Sequence, residues 1–98
     1  MRVKFSRMAK DQLKEVKSYI AKDNPERAEK HIRKVINSIK KLIDYPYLGK
    51  VNAVYNRQDI REIAIEGYKV IYQIYSNSIN ILVVYKNIDL DETDIGVE

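Results

Sequence analysis

Two apolar stripes of helical period meet at Asn24-Pro25, and this junction constrains the fold more than any other feature of the chain. Ala9, Leu13, Val16 and Ile20 recur at spacings of four, three and four, which draws one face of a helix, while Lys10, Lys14 and Lys17 face elsewhere. Ser6 is placed to cap it, and it should end near Lys22-Asp23. Asn24 then supplies a new N-cap, Pro25 brings a preset φ to the first helical position, and Glu26 and Glu29 sit near the positive end of the dipole. The second stripe, Ala28, Ile32, Val35, Ile36, Ile39, Leu42 and Ile43, predicts a helix to about Ile43, with Lys30, Arg33, Lys34, Lys40 and Lys41 on the opposite surface. With almost no linker between them, the two helices must form an antiparallel hairpin.

Pro46 blocks easy continuation and Gly49 permits a turn, so residues 44–50 read as an exit loop, followed by a poorly patterned stretch from Val51 to Asn56. The period then changes from helical to alternating. Strands are expected near 57–65, 68–76 and 79–86, with Glu66-Gly67 and Asn77-Ser78 as the turns, and a short strand at Arg2–Phe5. The fold class is therefore α+β: a strand, an antiparallel helical hairpin, then a three-stranded antiparallel β-meander. The near-continuous apolar run from Ile79 to Tyr85 predicts an interior strand, covered by the helices on one face and by a partner protein on the other.

The net charge of +4 conceals an asymmetry. Residues 1–50 carry 14 lysines and arginines against 6 acidic residues, whereas residues 51–98 carry 4 against 8. A basic helical half suits an acidic partner, either nucleic acid or an acidic protein segment, or else is simply solvated. Asp89, Asp91, Glu92, Asp94 and Glu98 crowd the end, so we divide the chain into a single domain, 1–88, and an acidic tail, 89–98, which could also fold back over the basic helices. No cysteine is present and no run approaches the roughly 20 apolar residues of a membrane helix, so the expectation is a cytoplasmic protein without membrane association, metal or cofactor.

Ordinary catalytic constellations are missing from the sequence. His31 is the only histidine and reads as a helix residue, and Glu26, Glu29, Glu62 and Glu66 are explained by the helix dipole and cross-strand pairing. What remains is a basic and aromatic set: Arg57, Arg61, Tyr68, Lys69, Tyr72, Tyr75, Tyr85 and Lys86. A ribonuclease built from it would need lysine or tyrosine as base and arginine to stabilise the phosphorane; the tyrosines also suit simple packing in a half-buried sheet.

Several segments in order carry a resemblance. These are Ser6 to Leu13, Tyr19-Ile20, Asn24-Pro25-Glu26-Arg27-Ala28, Leu42 through Tyr45-Pro46-Tyr47-Leu48-Gly49, Ile60-Arg61-Glu62-Ile63, Gly67 to Tyr72, and Ile79 to Tyr85. Together they resemble the RelE/ParE superfamily of toxins from type II toxin-antitoxin modules, also called plasmid-stabilisation proteins, and lie closer to its ParE-like branch. The resemblance implies a growth-inhibiting toxin that poisons DNA gyrase and is neutralised by a cognate antitoxin, as a homodimer or a toxin-antitoxin hetero-oligomer. The alternatives are a RelE-like endonuclease that cuts mRNA on the ribosome, or a degenerate member that only binds antitoxin.

For the nuclease alternative the resemblance places a reduced catalytic set at Arg61, Lys69, Tyr85 and Lys86. Where RelE-like nucleases carry a histidine or a lysine-arginine cluster beyond the last strand, this chain has Tyr85-Lys86-Asn87-Ile88-Asp89-Leu90-Asp91. Carboxylates there would oppose the negative charge that develops on a scissile phosphate.

Overall fold

The computed structural model describes residues 1–86; the acidic tail assigned to 89–98 lies outside them. Strand β1 (Arg2–Phe5) leads into helices α1 (Arg7–Ala21) and α2 (Pro25–Lys40), followed by a 3-10 turn at Lys41–Ile43. Strands β2 (Lys50–Val51), β3 (Ile60–Ile65), β4 (Tyr68–Ile74) and β5 (Ser78–Lys86) complete one sheet in the order β1-β5-β4-β3-β2. The expected meander is β3-β4-β5. Two strands extend it: β1 joins β5 in parallel and β2 joins β3 antiparallel.

The helix boundaries follow their caps. Ser6 Oγ accepts the Ala9 N–H at 3.0 Å, and Asn24 Oδ1 accepts the Arg27 N–H at 3.0 Å, so each helix starts with an orphan donor satisfied. Helix α2 stops at Lys40 rather than Ile43 because its last turn tightens, with the Asp44 N–H reaching the Lys41 carbonyl at 3.1 Å. The β3–β4 turn is closed by Glu66 (φ 50°) and Gly67 (φ 85°), both in the left-handed region that a two-residue hairpin demands. The β4–β5 turn falls one residue earlier than expected, at Ser76-Asn77, closed by the Tyr75 N–H on the Ser78 carbonyl.

A register shift between Ile71 and Tyr72 leaves Leu82 as an extra residue on β5. Its carbonyl would be stranded, but the Ser6 hydroxyl donates to it at 2.8 Å, and the nearby Val84 N–H finds Gln12 Oε1 at 2.7 Å. The bulge thereby fixes the start of α1 against β5. On that side of the sheet Leu13, Val35, Ile39, Leu42, Val70, Tyr72, Ile79, Ile81 and Val84 form the core.

Tyr72 is fully buried, yet its hydroxyl is satisfied on both sides: it donates to the Pro46 carbonyl at 2.7 Å and accepts the Gly49 N–H at 2.9 Å. The loop leaving α2 is thus tied to the middle of the sheet. A Cβ on Gly49 would lie 2.6 Å from the Glu62 carbonyl oxygen and 2.8 Å from Tyr72 Oη, so this glycine is required by close approach, not by the turn that its sequence position implied.

Removing the hydroxyl in Tyr72→Phe orphans the buried Gly49 N–H and the half-buried Pro46 carbonyl and should cost about 2 kcal/mol of unfolding free energy. Gly49→Ala should cost a similar amount, about 2 kcal/mol or more. Chemical denaturation of the double variant should show less than the sum of the two losses, because both changes disrupt one junction; strict additivity would contradict it.

Candidate functional site

Arg61 on β3 pairs with Tyr72 on β4 and shares its face of the sheet. Its guanidinium donates to the Gly49 carbonyl (3.0 Å), the Gln58 carbonyl (3.0 Å) and Gln58 Oε1 (2.7 Å), and lies 4.9 Å from the centre of the Tyr47 ring. All three acceptors are neutral, so the side chain is locked in place with no carboxylate among the described residues paired to its charge. Around it the loop from α2 exposes Tyr45, Tyr47 and Leu48; the last two are each 61% exposed, too far out to serve the core.

The loop between β2 and β3 exposes Val54 and Tyr55. Buried Asn52 shapes it, accepting the Val54 and Tyr55 N–H groups on Oδ1 at 3.0 and 3.1 Å while its amide donates to Glu62 at 3.0 Å. Arg57 grips Asp59 through two nitrogens, and Asp59 also accepts from Gln73; the Gln73 bond first, and Arg57 after it, hold its carboxyl below the usual range against desolvation. Both loops therefore present aromatic and aliphatic side chains on backbone that is pinned from beneath. Fixed, exposed Tyr and Arg are the residue types that dominate protein–protein recognition.

Lys69 lies on the opposite face of the sheet from Arg61, because the register pairs Lys69 with Ala64 and Arg61 with Tyr72, an odd number of residues apart. It faces Tyr85 across the β4–β5 ladder, and its Nζ is 3.0 Å from the buried Glu62 carboxylate. The Glu62 hydrogen bond and charge, with a smaller contribution from Tyr85, raise the Lys69 pKa. The amine is thus held as an ammonium ion and is a poor proton acceptor. Lys86 pairs with Tyr68 at the far end of the sheet. The four residues proposed from sequence as a reduced catalytic set therefore occupy three surroundings: Lys69 and Tyr85 come together, while Arg61 and Lys86 stand apart.

Lys86 also borders a groove of about 770 Å³ between the helices and the end of the sheet, lined by Tyr19, Arg27, His31 and Tyr68 among others. His31 Nε2 is 2.8 Å from the Tyr68 hydroxyl, and burial pushes the Tyr68 phenol up. A second, smaller groove has a floor of Phe5, Leu13, Ile32 and Ile36 and a rim of Lys10, Lys14 and Lys17. Gln12 and Asn52 were not singled out from sequence; each is a polar side chain whose distant or local backbone partner only the fold reveals. Among the described residues no cluster of three or more potential metal ligands occurs, and no helix is long and apolar enough to cross a membrane.

The family model described as the ParE toxin of the type II toxin-antitoxin system, parDE, matches residues 3–86. Among solved structures, a chain of the chromosomal ParDE TA system from P. aeruginosa superposes with a TM-score of 0.72 at 20% identity, over 88% of this chain and 95% of that one. At that identity the likeness speaks to the fold. No curated protein sequence matches the chain.

The pairing of Lys69 with Glu62 has a pH signature. A lysine whose folded pKa lies above its ordinary 10.5 contributes stability that is complete below that pH and is lost as the pH climbs through the folded value. The melting temperature of the native protein should therefore fall more steeply above pH 10.5 than that of Lys69→Met, whereas parallel curves would show that the pair is not formed in solution.

Proposed function

The chain belongs to the ParE toxin family of type II toxin-antitoxin systems, and on that premise we propose that it acts in the cytoplasm by binding and poisoning DNA gyrase, and that a cognate antitoxin neutralises it. One observation favours binding over cleavage. The four residues of the reduced catalytic set, Arg61, Lys69, Tyr85 and Lys86, are dispersed, and the amine beside Tyr85 is held protonated by Glu62. RNA cleavage asks for a base close to the attacking hydroxyl and cations converging on one phosphate. The rigid aromatic loops around Arg61 ask only for a complementary surface. We assign target recognition to Tyr47 and Leu48, with Tyr45, Val54 and Tyr55 around them.

The antitoxin reading rests on the smaller groove. Its floor of Phe5, Leu13, Ile32 and Ile36 suits the apolar side of an amphipathic segment, and its rim of Lys10, Lys14 and Lys17 suits carboxylates on the flanks of that segment. The antitoxin should therefore be acidic or amphipathic where it crosses α1.

In a supercoiling assay the purified toxin should inhibit gyrase, and Tyr47→Ala combined with Leu48→Ala should raise the concentration required by about tenfold or more while lowering the melting temperature by only about 4–8 °C, the loss of the Arg61–Tyr47 contact. Gyrase that is unaffected by a molar excess of toxin would contradict the proposal. Primer extension on translated mRNA should reveal no codon-linked cuts; cuts that disappear in Lys69→Ala would establish the endonuclease alternative instead.

A further inference from the structure

We propose that the outward face of α2 is a docking surface for the phosphate backbone of duplex DNA, independent of base sequence. Lys30, Arg33, Lys34, Asn37, Ser38 and Lys41 line one shallow groove along this helix, with Glu66 as the acidic residue of its lining and Glu29 beside Arg33. The carboxylate contacts are loose: Lys34 is 3.5 Å from Glu66 and Arg33 is 3.6 Å from Glu29, both pairs solvent-exposed and worth little. Among the described residues Lys30 and Lys41 have no carboxylate partner.

The composition of this face discriminates between the two kinds of acidic partner. Its lining contains no apolar side chain, in contrast to the grooves that hold Val16 and Ile20 or Phe5, Leu13, Ile32 and Ile36. An acidic protein segment would find no apolar anchor there, and such anchors carry most protein–protein affinity. Lysine, arginine, asparagine and serine are instead the side chains that contact phosphate oxygens. From Lys30 through the 3-10 turn to Lys41 the stripe extends about 16 Å, enough to meet several phosphates of a duplex that carries one negative charge per about 1.7 Å of its axis. The stripe and the duplex backbone thus match in sign, length and hydrogen-bonding chemistry. The surface is separate from the Arg61 loops, and the inference does not depend on which enzyme the toxin inhibits.

The test is fluorescence anisotropy of the full chain with a labelled random-sequence duplex of about 20 base pairs, titrated between about 50 and 200 mM salt. Each phosphate neutralised adds about 0.9 to the slope of log affinity against log salt, so Lys30→Gln, Lys34→Gln and Lys41→Gln together should flatten it by up to about 2.7 and weaken binding more than about tenfold. Arg2→Gln, Lys4→Gln and Lys22→Gln remove the same charge elsewhere and should flatten it by less than about 0.9. Equal flattening by both triples, no binding by the native chain, or displacement of the duplex by polyglutamate at matched charge would each overturn the proposal.

Discussion

The buried hydroxyl of Tyr72 is the interaction on which the proposed recognition surface depends. It sits at the centre of the sheet and holds both ends of the Pro46–Gly49 segment, donating to one carbonyl and accepting one N–H. Because Gly49 is drawn in so closely, its own carbonyl is positioned to receive the Arg61 guanidinium, which in turn lies against Tyr47. A single phenol in the core thereby sets the positions of an arginine and an aromatic ring at the surface. Burial raises the Tyr72 pKa, opposed in part by the Gly49 N–H and by Arg61, so the phenol stays protonated and keeps its donor role across ordinary pH.

A second junction seats the helices. The extra residue on β5 would waste hydrogen-bonding groups in the core, and the chain resolves this with side chains from the start of α1: Ser6 caps its own helix and also serves Leu82, while Gln12 serves Val84. One serine therefore links helix initiation to sheet irregularity. The two junctions lie at opposite ends of the helical hairpin, one joining the start of α1 to β5 and the other joining the loop after α2 to β4, so the hairpin is attached to the sheet at both of its ends.

Much of this architecture is legible in the sequence wherever the determinant is local. Ser6, Asn24-Pro25 and Glu66-Gly67 are short-range signals, and the elements they bound appear where their chemistry demands. The two-residue β2 was missed because two residues show no period, and the parallel pairing of β1 with β5 because nothing near Arg2–Phe5 refers to residues 78–81. The candidate site is a mixed case. The cross-strand role expected of Glu62 is found, since it pairs with Lys69. The separation of Lys69 from Arg61 was also available in principle: a two-residue turn at Glu66-Gly67 sets Ile65 opposite Tyr68, hence Ala64 opposite Lys69 and Arg61 opposite Tyr72, on alternate faces. What no local pattern could reveal is the satisfaction of Arg61 by backbone carbonyls from two loops, or the closeness of Gly49 to Tyr72.

The central claim is that this toxin works by presenting a rigid loop surface and not by transferring protons at Lys69. Growth arrest after induced expression, compared side by side for Lys69→Met and for the combined Tyr47→Ala and Leu48→Ala variant at matched soluble protein levels, addresses it most directly. The account predicts that Lys69→Met still arrests growth and that the loop variant does not. Arrest that survives the loop changes but is abolished by Lys69→Met would contradict it.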